Sequence, residues 1–220
     1  MTSNELRDQF WLSYCLLEDE FKETIPFVTV AKDNYNTYST AYAKLLLEIG
    51  SETDIALKNY CIIIDPSFSG SSINQYRDCI INNKRSMCNQ EVQIINRNIT
   101  FIPWSTWSEP TEPSPLWWKV YNKVKHERNS VGSIASITKE YYKFANLEYT
   151  LNALAGLYVV LMYTYIDLTA KEGAKEISPR PLSRLFDLLG GAWNNVKFKS
   201  GEQFLYTSSG EIIYDRHAFF

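Results

Sequence analysis

Apolar positions recur at helical spacing through most of the chain. Over Glu5–Glu23, the residues Phe10, Tyr14, Leu17 and Phe21 fall about one turn apart with charges between them. That spacing predicts an amphipathic helix, ended by Pro26. Thr37–Ile64 carries a second stripe of Tyr42, Leu45, Leu46 and Ile49, continued more weakly by Ile55, Leu57 and Ile62. Ser39 suits its N-cap, and Gly50-Ser51 marks a place where it can break. Asp65-Pro66 and Ser69–Ser72 read as loop, and Ile73–Asn82 as a short helix. Leu116–Arg128 returns to helical spacing behind Pro115, with Trp117, Val120, Tyr121 and Val124 on one face. Ser136–Asp167 contains the longest helix, its stripe running from Tyr141 through Leu161, and Leu182–Leu189 reads as a last short helix closed by Gly190-Gly191.

Two stretches alternate instead. Val92–Ile102, around Asn96-Arg97-Asn98, predicts a β-hairpin, and Phe204–Tyr206 with Ile212–Tyr214 predict a second one near 203–214. Between the helices, Pro103–Pro115 holds four prolines with Trp104 and Trp107. It reads as a rigid, non-helical strap across the core, or alternatively as a segment that docks a protein partner. No internal repeat or low-complexity linker divides the chain. The expected fold is therefore mainly α: one domain over 1–220, a helical bundle with two small β-hairpin appendages.

Composition changes this picture little. Aromatic residues make up 15% of the chain, with 15 Tyr, 11 Phe and 6 Trp. They supply a core, or alternatively a surface on which a partner or a base stacks. A net charge of −3 disfavours a protein that grips nucleic acid over its whole surface, but leaves room for a local basic patch. Cys15, Cys61, Cys79 and Cys88 show no CxxC spacing and no histidine pair, so no zinc site is expected. The first three sit in apolar runs and read as buried reduced thiols. Met1–Arg7 is polar, without the apolar core of a secretory leader, and a cytoplasmic location is expected. Ala153–Ile166 is almost wholly apolar but only 14 residues long. A span needs about 20, so a buried central helix is expected and no membrane.

Candidate chemistry narrows to one helix because the chain has only 2 histidines. His217, near the end of the sequence, reads as solvent-facing. His126 lies in Trp117–Asn129, where Asn122 stands four positions before it and Lys119 a further turn back. Residues four apart share a helix face. An imidazole exchanges a proton near neutral pH, an amide fixes a tautomer or a phosphate oxygen, and cations hold phosphate. Lys119, Lys123, Lys125 and Arg128 crowd the same stretch of an acidic protein. The plainer alternative is a solvated helix with a surface histidine. Glycine-rich phosphate loops and GxSxG are absent. The acidic clusters Glu18-Asp19-Glu20 and Glu48, Glu52, Asp54 lack histidines at metal spacing and read as solvated faces.

The segment Tyr121-Asn122-Lys123-Val124-Lys125-His126, followed by a long helix beginning near Tyr141 and running through Asn146-Leu147, resembles HEPN-type helical domains. These occur in bacterial and archaeal toxins and anti-phage systems. That family carries Arg-Asn-x-x-x-His on a helix, and two protomers join their motifs into a metal-independent endoribonuclease site. The resemblance implies a helical bundle, a homodimer and RNA cleavage without a cofactor or metal. The ribose 2′-hydroxyl would attack the adjacent phosphate, with His126 as acid or base, Asn122 beside it, and Lys119, Tyr121, Lys123, Lys125 and Arg128 on the substrate side. The chain departs from the motif where Tyr121 stands at the position of the arginine. A tyrosine supplies no fixed positive fork to a phosphate. The alternative is a non-catalytic, dimeric HEPN-like protein that binds nucleic acid or a partner. A third is an accessory protein that docks through Trp104 and Trp107.

Overall fold

The computed structural model describes residues 1–108, 114–174, 176 and 178–190, and beyond them the backbone of strands at 196–199, 202–206 and 212–214. The chain enters through α1 (Ser3–Leu6), a π-helical turn (Arg7–Trp11) and α2 (Leu12–Thr24), which follow one another without a break. A capping box starts them: the Glu5 N–H donates to Thr2 Oγ1 at 3.2 Å and the Thr2 N–H to Glu5 Oε2 at 2.7 Å. The π turn has a packing reason. Leu6 and Trp11 are five apart and both buried, and the wider turn keeps Trp11 on the inward face with Tyr14, Leu17 and Phe21. α3 (Thr40–Ile64) begins at Ser39, whose Oγ accepts the Tyr42 N–H at 3.1 Å. It runs unbroken through Gly50-Ser51. α4 (Ile73–Lys84) completes the first half.

The hairpin at 92–102 is present, with β1 (Glu91–Ile94) antiparallel to β2 (Thr100–Phe101) and Asn96 at φ 59° in its turn. The strap carries a 3₁₀ turn, Ser105–Ser108, and packs Trp104 and Trp107 into the core at 0% and 1% exposure. α5 (Leu116–Glu127) follows, its first N–H groups at Trp118 and Lys119 donating to Pro115 O.

Two expectations are overturned by the elements that follow α5. The helix expected from Ser136 begins only at Leu147. Before it lie β3 (Val131–Ile134), antiparallel to β4 (Ile137–Glu140), and a 3₁₀ turn, Tyr141–Phe144. Ala135 and Ser136 have φ of 49° and 65° in the two-residue turn, and Gly132 lies under the Tyr141 ring, where a Cβ would collide with it. Asn146 then caps α6 (Leu147–Lys171), its Oδ1 accepting the Tyr149 N–H at 3.0 Å. The short helix expected over Leu182–Leu189 is instead β5 (Phe186–Leu189), paired antiparallel with β1 in a β2-β1-β5 sheet. Its alternating burial shows why: backbone pairing with Glu91–Ile94 outweighs the weak helical spacing of a run this short. Past residue 195, β6 (Val196–Lys199), β7 (Glu202–Tyr206) and β8 (Ile212–Tyr214) form an antiparallel sheet in that order. The architecture is mainly α with small antiparallel β elements, as the pattern predicts.

α6 is the core element. Its most apolar window has a mean hydropathy of 1.5, enough by length and composition to cross a membrane, yet 78% of that window is buried inside the protein. α3 packs along it, and α1, α2 and α5 also contact it. At Gly156 the helix has no side chain, and the Trp104 and Trp117 rings close on that gap. Trp104 Nε1 donates to Gly156 O at 3.1 Å and Trp117 Nε1 to Pro103 O at 2.9 Å, so strap and α5 dock together. The cluster Glu18-Asp19-Glu20 is not simply solvated: Glu18 is 2% exposed. Its carboxylate accepts from Tyr14 Oη (2.7 Å), Ser183 Oγ (2.6 Å) and the Arg184 N–H (2.7 Å), and so ties β5 to α2.

Candidate functional site

α5 buries Trp117, Trp118, Val120, Tyr121 and Val124, and this apolar face fixes which polar residues remain outside. Lys119, Asn122 and Lys123 are half-buried at the boundary, while Lys125, His126, Glu127 and Arg128 are exposed. Asn122 and His126 share a face as their spacing requires. The Asn122 amide, however, is committed backward: Nδ2 donates to Trp118 O at 3.1 Å. Lys123 Nζ pairs with Glu127 Oε1 at 2.6 Å and lies 5.1 Å from the centre of the Tyr141 ring. Lys125 Nζ donates to Tyr121 Oη at 3.2 Å. His217 lies outside the described residues.

Tyr121 belongs to the core rather than to a phosphate site. It is 3% exposed, and a Cβ placed on Gly50 would come within 2.5 Å of its ring atoms Cε2 and Cγ. Gly50 therefore lets α3 and α5 approach closely, which is why a glycine sits in an unbroken helix. One turn further on each helix, Asp54 of α3 feels the charge of Lys125. Burial raises the Asp54 carboxyl above its ordinary range, while Lys125, Lys58 and a hydrogen bond from Tyr76 pull it back down. The local sequence pattern places Asp54 on a solvated face. Only the α3–α5 contact, which no local pattern encodes, brings it beside the basic helix.

The β3–β4 hairpin adds a second set of cations to the first. The Tyr141 N–H donates to Ser130 O at 2.9 Å and the Tyr142 N–H to Arg128 O at 3.2 Å, so the chain returns against the end of α5. Lys139 and Lys143 come with it. Lys139 Nζ sits 4.5 Å from the Phe144 ring centre, its pKa lowered by burial and by Lys143. Lys143 pairs with Glu140 at 2.7 Å. Leu116–Lys143 thus holds six Lys and Arg against two Glu, in a chain of net charge −3 whose remainder is net −7. The ion pairs Lys123–Glu127 and Lys143–Glu140 are surface contacts of the kind that contribute little.

Elsewhere, a cavity of ≈ 460 Å³ opens between the end of α2 and the start of α3, with Glu20, Glu23, Phe27, Tyr42 and Lys44 in its lining. It is built from elements other than α5 and the hairpin. Among the described residues, no group of three His, Cys, Asp or Glu is placed to hold a metal ion. The indoles of Trp104 and Trp107 are interior, so any partner at the strap meets other atoms of that segment. Comparison of the chain with family models, curated proteins and solved structures finds no match.

Proposed function

We propose that the face made by α5 and the β3–β4 hairpin binds the phosphate backbone of a nucleic acid, and that the chain is a non-catalytic binding protein of HEPN-like type. The observation that carries this reading is that backbone hydrogen bonds bring the β3–β4 hairpin, with Lys139 and Lys143, against the end of α5, which carries Lys119, Lys123, Lys125 and Arg128, in a chain of net charge −3. Clustered Lys and Arg gain affinity for phosphates by releasing counterions, with no need for a base-specific contact. Absence of turnover is supported by Tyr121. The residue at the motif's arginine position is locked under α3, and the neighbouring Lys125 is held at its hydroxyl. The Asn122 amide nitrogen is engaged by Trp118 O.

A homodimeric, metal-independent endoribonuclease, acting in toxin or anti-phage systems, is the second reading. It is favoured by exposed His126, one turn from Asn122 and open to a second copy. One experiment separates the two. Labelled RNA is incubated with the protein in EDTA, and binding and integrity are followed for wild type, His126→Ala and the double variant Lys119→Glu/Lys123→Glu. The binding reading predicts intact RNA throughout, retained by His126→Ala and released by the charge reversal. Cleavage that His126→Ala abolishes would establish the nuclease instead.

A further inference from the structure

At the end of the basic face two tyrosine rings stand out into solvent. Tyr38, from the loop before α3, is 45% exposed, and Tyr142, just after β4, is 38% exposed. Their ring centroids lie 5.8 Å apart at an interplanar angle of 79°. Most of the other aromatic rings among the described residues are buried, so such exposure calls for a reason. The backbone that carries the pair is tied down. Tyr142 is fixed through its N–H to Arg128 O, and the loop carrying Tyr38 is fixed by the bridge Tyr38–Asn146 and by the Leu147 N–H donating to Thr37 O at 2.9 Å. Side chains that present rigid rings in this way lose little entropy when something flat settles on them.

One cation lies at the pair, and two more belong to the residues beside it. Lys143 Nζ is 5.6 Å from the Tyr142 ring centre and is held there by Glu140. Arg128 leaves the end of α5 at the residue that anchors Tyr142, and Lys123 covers the adjacent Tyr141. Exposed aromatic rings interleaved with Lys and Arg form the combination that single strands use: cations follow the phosphates, and unpaired bases stack on the rings. A duplex keeps its bases inside, where exposed rings cannot stack on their faces.

We infer that Tyr38 and Tyr142 form a base-stacking platform and that the nucleic acid bound at this face is single-stranded. The inference rests on the phosphate-binding reading of α5 and the hairpin and deepens it. RNA and DNA strands offer the platform the same chemistry, and the test separates them. It also explains the hairpin itself. β3 and β4 place Tyr142 and Lys143 against the end of α5, an arrangement that a direct run from α5 into α6 would not give.

The test uses three fluorescent twelve-nucleotide probes: oligo-rU, oligo-dT and an abasic strand with the same number of phosphates. Binding to the full chain is read by anisotropy. Wild type is expected to bind a base-bearing strand at least about fivefold tighter than the abasic one, the low end of what stacking one base on an aromatic ring contributes. Tyr38→Leu/Tyr142→Leu keeps apolar bulk, and circular dichroism checks that it folds. It should abolish that preference while leaving abasic affinity unchanged. Equal oligo-rU and oligo-dT affinity means that the platform reads bases alone; a gap between them adds a contact to the sugar, and both outcomes keep the stacking inference. Equal wild-type affinity for base-bearing and abasic strands, or a preference that survives in the double variant, overturns the platform and leaves the phosphate-binding reading intact. Absence of binding to every probe, or binding untouched by Lys119→Glu/Lys123→Glu, overturns the phosphate reading itself.

Discussion

Gly50 of α3 lies directly beneath the ring of Tyr121 on α5, at a separation that no side chain at position 50 could occupy. This contact sets the distance between the two helices and takes Tyr121 out of reach of any ligand on the outer face. It also bears on what a tyrosine does at this position. A tyrosine in place of an arginine could mark a site with altered chemistry or a position given over to packing, and here it is packing.

Placing an arginine at this position should therefore fail to create a nuclease. Tyr121→Arg places a guanidinium against buried ring and backbone, and is expected to cost more than about 2 kcal/mol without creating nuclease activity. Gly50→Ala should cost about 1–3 kcal/mol from overpacking, more than the roughly 1 kcal/mol that alanine contributes to a helix. Urea unfolding of both variants checks this. RNA cleavage by a folded Tyr121→Arg, or a more stable Gly50→Ala, would contradict it.

Glu18 carries a different burden. Its carboxylate accepts from Tyr14, Ser183 and the Arg184 N–H, and Arg184 also pairs with Asp19. Glu18→Ala leaves buried donors unpaired at about 1–3 kcal/mol each, so a loss of roughly 3 kcal/mol or more is expected. Glu18→Gln, which keeps the volume and one oxygen, should lose less. The exposed Glu23→Ala is the control: if Glu18→Ala shifts the urea midpoint no further than Glu23→Ala does, the clasp does not hold β5 to α2.

Asp187 gives the pH dependence its sign. Burial raises its carboxyl above the ordinary range, and Glu52, Asp54 and Glu148 are raised for the same first reason. A folded chain that holds a proton more tightly than the unfolded one is favoured below the unfolded value, near about 3.9 for Asp, and loses that advantage as pH rises through the folded value. Asp187→Asn should therefore melt higher than wild type at about pH 7, with the gap closing toward about pH 3.5. Thermal melts at the two pH values test this. A variant less stable at both would show that the carboxylate makes a favourable contact.

The cysteines should be slow to react. Burial, helped by Glu18 and Asp19, pushes the Cys15 thiol up to about 12, and burial raises Cys61, Cys79 and Cys88 as well. Since the thiolate is the reactive form, iodoacetamide at about pH 8 should label none of the four in the time that it labels all of them in urea. Mass spectrometry reads the outcome, and rapid labelling of Cys15 in the native chain would contradict it.

The sequence disclosed what local pattern can carry. The stripes of α2, α3 and α5, the cap at Ser39, the hairpin at Asn96 and the buried central helix all follow from spacing and from single residues with a conformational role. It misled where partners lie far away in the chain. Phe186–Leu189 has helical spacing but pairs with Glu91–Ile94, almost a hundred positions earlier. Val131–Glu140 turns at Ala135-Ser136 rather than at an Asn-Gly pair, so its hairpin carried no strong turn signal. Glu18 and Asp54 looked like surface charge because their partners, Ser183, Arg184 and Tyr76, are remote in sequence. The candidate helix was legible as a cluster of cations with Asn122 and His126. The second half of its basic face came from a hairpin that only tertiary hydrogen bonds place beside it.

The salt dependence of oligo-dT binding tests whether this face neutralises phosphates. A face that works by neutralising phosphates predicts a straight fall of log K with log salt, with a slope of about −0.7 for each phosphate contacted. The triple variant Lys119→Ala/Lys123→Ala/Arg128→Ala should weaken binding and flatten that slope by roughly the equivalent of one contact per residue removed. Wild-type binding that is insensitive to salt, or a triple variant with an unchanged slope, would contradict the assignment of this face.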